Sequence, residues 1–212
     1  MSMSVAGERA TTRLPREERR AQLLVAAREV FVAQGYHLAG MDDIADRAGI
    51  SKPVLYQHFP GKLDLYLALL DEGIGELLRT VQIAMATTTD NQQRVRAAVG
   101  AYFEFVDEPD SPYRLIFESD LPHEPAVRDR MEAADAATAG LLSRVIATDT
   151  GLSEEEAHLL AGGLLGMAHV AARSWLRDRD GVARATAIDL VSSLGWRGIR
   201  GFPRSHPPMP DA

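Results

Sequence analysis

The stretch Gly35–Tyr66, GYHLAGMDDIADRAGISKPVLYQHFPGKLDLY, decides the fold. Met41, Ile44, Ala45 and Ala48 recur at three- and four-residue steps, the spacing of one apolar helix face. Gly49 ends that pattern and can take the positive φ of a tight turn at little steric cost. Ser51 stands where a second helix needs a cap, and Pro53 is tolerated in a first turn, whose amides have no intrahelical acceptor. Val54, Leu55 and Phe59 supply the inward face of that helix, and Pro60-Gly61 breaks it. The only two lysines of the chain, Lys52 and Lys62, bracket it.

Upstream, Leu23, Leu24, Ala27, Val30 and Phe31 form an apolar stripe that Gly35 ends. Downstream, Leu63, Leu67, Leu70, Ile74, Leu77 and Val81 predict a helix over 62–86. Further helices are expected over about 91–107, 112–119, 125–148, 153–179 and 182–200, with Ser153 and Glu156 forming a capping-box signature. No alternating run with turn residues at both ends marks a strand. The expectation is an all-α chain of about nine helices. Its parts are a disordered arginine-containing arm over 1–15, a three-helix helix-turn-helix head over 16–62, a larger helical body over 63–202, and a disordered proline-rich tail over 203–212.

Composition narrows the function classes. The absence of cysteine excludes disulfides and thiolate chemistry and fits a reducing cytoplasm. No secretory signal is expected in the first residues, and no apolar run of membrane-spanning length is expected anywhere. The net charge of −7 is unevenly spread: residues 1–62 carry +2 and residues 63–212 carry −9. The chain is thus a mildly basic head on an acidic body, and its net charge argues against a generic polyanion binder.

In a helix-turn-helix, the N-terminal end of the second helix enters the major groove. Lys52 and Val54 sit in that first turn, where an ammonium can reach guanine or phosphate and a branched methyl can pack on thymine. Tyr56 and His58 carry polar tips suited to phosphate oxygens, Gln57 can reach a base or a phosphate, and Lys62 opens the next helix.

With these residues in place, the segment resembles the DNA-binding domain of the TetR family of bacterial transcription regulators. The pattern is carried by Phe31, Gly35-Tyr36, Ile44-Ala45, Ala48-Gly49-Ile50-Ser51, Leu55-Tyr56, His58-Phe59 and Lys62. The resemblance implies that Tyr56, His58 and Lys62 meet phosphates and that Lys52, Pro53 and Val54 face bases. It departs at Gly40, where the family has a serine or threonine whose hydroxyl caps the helix and meets a phosphate. A phosphate contact there falls to backbone amide alone.

The body has no motif of that strength. Ala161–Ala172, AGGLLGMAHVAA, is rich in small residues, which let another helix approach closely. With 182–200 it resembles the family's dimerisation pair, and a homodimer would double the contacts of one short reading head. Met85, Tyr102, Phe105, Val106, Phe117, Met131, Met167 and Trp175 are candidate walls of a ligand cavity, because methionine repacks easily around flexible apolar ligands. Val30–Leu70, Thr87–Arg94, Tyr113–Asp120 and Gly163–Leu176 resemble the FasR-type branch of the family, regulators of fatty-acid synthesis genes. That resemblance implies a long-chain acyl-CoA effector in a hydrophobic tunnel, relieving DNA binding. A drug- or metabolite-responsive repressor of an efflux or catabolic operon shares the same head and is the alternative. Glu154, Glu155 and His158 have the spacing of a metal pair but lack an evident third ligand. No catalytic motif is present, so no enzyme, cofactor, metal or membrane association is expected.

Overall fold

A computed structural model describes residues 15–108, 121 and 123–199. The described residues form eight helices and no strand: α1 (Arg16–Leu38), α2 (Met41–Ala48), α3 (Lys52–His58), α4 (Lys62–Ala86), α5 (Asn91–Asp107), α6 (Pro125–Thr150), α7 (Glu154–Arg177) and α8 (Arg184–Ile199). The expected helix over 112–119, Phe117, the arm before Pro15 and the proline-rich tail lie outside the described residues. The chain divides into two compact units, Met1–Tyr66 and Leu67–Ala212, so α4 contributes to both.

The head is built on three fully buried side chains, Leu23 of α1, Ile44 of α2 and Leu55 of α3. Gly49 closes α2 in the left-handed conformation, with φ 66° and ψ 34°, and its amide returns to Ala45 O and Asp46 O. Gln22 Nε2 donates to Ala48 O at 2.9 Å, which fixes the end of α2 against α1. Helix α1 does not simply stop at Gly35. Gly35 takes φ 76° and ψ 167°, a conformation essentially reserved for glycine, and one further turn runs to Leu38. Phe31, Tyr36 and Tyr66 pack around this kink, with Phe31 and Tyr66 edge-to-face at 5.4 Å between centroids. Ser51 occupies the cap position of α3, but its side chain makes no capping bond there.

The body is a helical bundle whose packing explains its small residues. Ala157 and Ala161 of α7 are fully buried against Ala139 and Ile146 of α6, so the alanines serve close approach within the chain. The capping box of α7 forms as expected: Glu156 N donates to Ser153 Oγ and Ser153 N to Glu156 Oε2. At the far end, Asp107 of α5 binds Arg179 at 2.8 Å and Arg184 at 2.7 Å. Trp175 Nε1 donates to Val182 O at 2.8 Å, which ties the α7–α8 corner further.

One helix meets the length and composition of a span, which by itself does not indicate a membrane. Helix α7 has 24 residues and a window of mean hydropathy 1.2, long and apolar enough for a span by those measures. Gly162, Gly163 and Gly166 have open space beside them, and Leu159 and Val170 are 77% and 70% exposed, so the helix presents an uncovered apolar face opposite its buried alanines.

The two positive-φ glycines of the head differ in strain. At Gly49 a Cβ would meet nothing within 4 Å, so Gly49→Ala should cost only the left-handed penalty of about 1 kcal/mol. Gly35→Ala should cost more, about 1–3 kcal/mol, because its backbone lies outside even the left-handed helical well. Urea denaturation of the full chain gives both values, and the reverse order would contradict this account.

Candidate nucleic-acid interface and ligand cavity

Leu55 anchors α3, and the rest of the helix faces outward around it. Lys52, Pro53, Tyr56 and Gln57 are exposed, Tyr56 by 41%, while Val54 and His58 are half-buried. The row of ammonium, phenol and amide groups expected at the DNA face is therefore accessible. Arg47 of α2 pairs with Glu29 of α1, and the Arg20 guanidinium lies 4.8 Å from the Phe59 ring centroid, bracing the helices behind that face.

Lys52 is ion-paired in the free protein. Its Nζ lies 2.6 Å from Asp42 Oδ1, and the hydrogen bond to Asp42 holds the ammonium above its ordinary range. Both side chains are more than half exposed, so water screens the pair and a phosphate or base edge can replace the carboxylate at little cost.

Two groups expected at phosphates have internal partners in the free protein. The Gly40 amide donates to Asp43 Oδ2 at 2.9 Å. Glycine also leaves that carboxylate room, since a Cβ there would sit 3.0 Å from Oδ2. Lys62 is more fully engaged. Its Nζ donates to Tyr36 O at 2.8 Å and Ala39 O at 2.9 Å, has His37 O at 3.4 Å, and lies 4.5 Å from the Tyr36 ring centroid. An ammonium has three protons, and these carbonyls account for all of them. In this state Lys62 is a positioning residue that ties the end of α1 to the start of α4. The sequence showed its charge but not the carbonyls that the Gly35 kink turns toward it.

The body holds two adjoining apolar cavities that share Val95, Ala98, Leu142 and Leu164. One reaches Met85; the other reaches Tyr102 and Met167. Of the expected walls, Met85, Tyr102 and Met167 are in place. Phe105 and Val106 are buried and Met131 half-buried, but none lines either cavity. Trp175 instead packs on Phe103, with centroids 5.7 Å apart. The stripe of apolar residues in α5 marked the core, and spacing alone does not separate a core face from a cavity face.

His169 is a wall residue outside the expected set. Its ring stacks on Tyr102 at 4.9 Å between centroids. Burial pushes its imidazole below the ordinary histidine range, against a smaller opposing pull from Asp135. Glu154, Glu155 and His158 line an open groove beside α6, and among the described residues no group of three metal-ligating side chains occurs.

Residues 23–69 match the family described as bacterial regulatory proteins, tetR family. The HTH-type transcriptional activator FasR of Mycolicibacterium smegmatis is 47% identical over 197 residues, covering 93% of this chain and 90% of the relative. This chain belongs to the TetR family of DNA-binding transcriptional regulators. The relatives named here are regulators, not enzymes. A TetR-like transcriptional regulator from Rhodococcus sp. RHA1 superposes with a TM-score of 0.69 at 26% identity, covering 89% of this chain and 100% of that one. The regulator FadR from Bacillus subtilis, solved in complex with stearoyl-CoA, shares the fold with a TM-score of 0.68 at 17% identity, covering 82% and 96% respectively.

The two lysines should behave differently in operator titrations over a range of salt. Lys52→Ala should flatten the plot of log affinity against log salt by up to about one per head. Lys62→Met should lower affinity with the slope unchanged and also lower the denaturation midpoint. A normal midpoint with a flattened slope in Lys62→Met would return Lys62 to the phosphate contacts.

Acidification tests the buried imidazole. With its folded value depressed, the unfolded chain takes up the proton first, so stability should decline as pH falls through about 6.5 toward the folded value. His169→Phe should remove that part of the decline, as read by thermal melts between neutral and mildly acidic pH.

Proposed function

We propose that this regulator acts as a homodimer that reads an operator through α3 and is released from it by a long-chain acyl-CoA bound in the body. The observation that carries the DNA reading is the exposed polar row of α3 over a fully buried Leu55. Lys52, Pro53 and Val54 occupy the base-facing turn, Tyr56, Gln57 and His58 serve the backbone, and Lys62 and Gly40 set the frame in which α2 and α3 are held.

The apolar lining of the joined cavities supports an extended hydrocarbon ligand. The FasR-type resemblance points to fatty-acid synthesis genes, and the same fold in FadR was solved holding stearoyl-CoA. Helix α4 belongs to both units and is the physical element through which ligand occupancy can bias DNA binding. Coupling is reciprocal, so operator DNA weakens acyl-CoA affinity by the factor that acyl-CoA weakens operator affinity.

Dimerisation uses the uncovered face of α7, with Leu159, Gly163, Gly166 and Val170, alongside Leu190 and Leu194 of α8. Large exposed aliphatic side chains flanking glycines suit a close helix contact between two copies.

In a mobility-shift assay, palmitoyl-CoA should displace the protein from its operator while coenzyme A alone does not. Displacement by drug-like cations but not by palmitoyl-CoA would replace the lipid reading with an efflux one. Leu159→Arg combined with Val170→Arg should turn a dimer into a monomer by light scattering. A dimer of unchanged mass would remove α7 from the interface.

A further inference from the structure

Asp42 is the second residue of α2 and Lys52 the first of α3. Their side chains meet at 2.6 Å between Oδ1 and Nζ, with more than half of each exposed. An exposed pair of this kind adds little to stability. The head does not need it for its frame either, since Ile44 and Leu55 are fully buried and Gln22 already holds the end of α2. The pair does leave bonding capacity over. An ammonium has three protons, and Oδ1 takes one. Among the described residues the remaining two protons of Lys52 and the Oδ2 of Asp42 have no further partner.

These groups make a pattern: two donors beside one acceptor. The major-groove edge of a G·C base pair is its complement, because guanine N7 and O6 both accept and the cytosine N4 amine donates. Guanine O6 and cytosine N4 are hydrogen-bonded to each other within the base pair, so they stand about 2.9 Å apart. That is the scale of the 2.6 Å between Nζ and Oδ1. Other base pairs fit less well. An inverted C·G pair sets the ammonium against an amine and the carboxylate against two acceptors. In A·T the amine separates the two acceptors, so an ammonium beside the carboxylate reaches only one of them, and the thymine methyl crowds the edge. At a phosphate, oxyanion and carboxylate compete for Lys52. At G·C both partners are satisfied without parting.

We propose that Asp42 is a specificity-determining residue: with Lys52 it reads one G·C base pair in each half-site, the ammonium on guanine N7 and O6 and the carboxylate on cytosine N4. The assignment rests on the operator reading of α3 above and adds to it a base-reading role for α2. An acidic side chain on a DNA-facing surface is then not a repulsive accident. It rejects every base edge that lacks an amine at the right place.

The test selects duplexes from a random pool with the full wild-type chain at fixed salt. Mobility shifts then give Kd for the selected duplex and for each of its single-base-pair variants. Wild type should show one position per half-site at which replacing G·C by A·T or C·G raises Kd about tenfold or more. Asp42→Ala should shrink that penalty severalfold and leave the preferences at other positions unchanged, with a thermal melt confirming that the variant folds. Should it not fold, the wild-type protein still reports. N4-methylcytosine, placed in turn at each cytosine of the selected duplex, should weaken binding at that one position per half-site, and no loss at any cytosine overturns the proposal. A folded Asp42→Ala that keeps every base preference of wild type overturns the role of Asp42 and leaves the operator reading standing. A wild-type chain that selects no sequence from the pool overturns the operator reading, and the base-pair assignment with it.

Discussion

The turn at Gly49 is the constraint on which the reading head depends. It must reverse the chain tightly enough for Ile44 and Leu55, six residues on either side of it or fewer, to share one buried centre with Leu23. A left-handed residue does this in a single step, and Gln22 then occupies the Ala48 carbonyl that the turn exposes. Every outward group of α3 inherits its direction from that packing. Tyr56 is exposed because Leu55 is not, since neighbours on a helix point about a quarter turn apart.

Behind α3 lies a second arrangement, less visible in sequence, at the junction of α1 and α4. The Gly35 kink aims the carbonyls of Tyr36 and Ala39 at the Lys62 ammonium, and Tyr36 places its ring face beneath the same charge. Carbonyl dipoles and a ring quadrupole stabilise the cation without a carboxylate. The head thus carries a fixed positive charge whose work is internal, next to one at Lys52 whose partner is a water-exposed acid.

Much of this was legible in the chain itself. Helix order and the apolar faces followed from spacing, and the helix-turn-helix motif from a run of residues that allows few alternatives. What spacing could not tell was direction in three dimensions. Phe105, Val106 and Trp175 have the same apolar character as Tyr102 and Met167, yet the first three complete the core and the last two face a cavity. His169 lies at the cavity wall stacked on Tyr102. Asp107 gathers Arg179 and Arg184 from more than 70 residues away, a convergence no local pattern encodes. Small residues in α7 carried two messages at once: alanines turned inward to α6 and glycines turned outward.

The Asp42–Lys52 pair has a consequence for how such a protein moves among sites. A free ammonium at the tip of a reading helix would cling to any duplex, slowing the search for the right one. Here a carboxylate already satisfies that ammonium, and arbitrary sequence offers only an exchange of one oxyanion for another. If Lys52 meets DNA as proposed, that exchange would shorten retention on random DNA and reserve a long dwell for sequences whose base edges add further contacts.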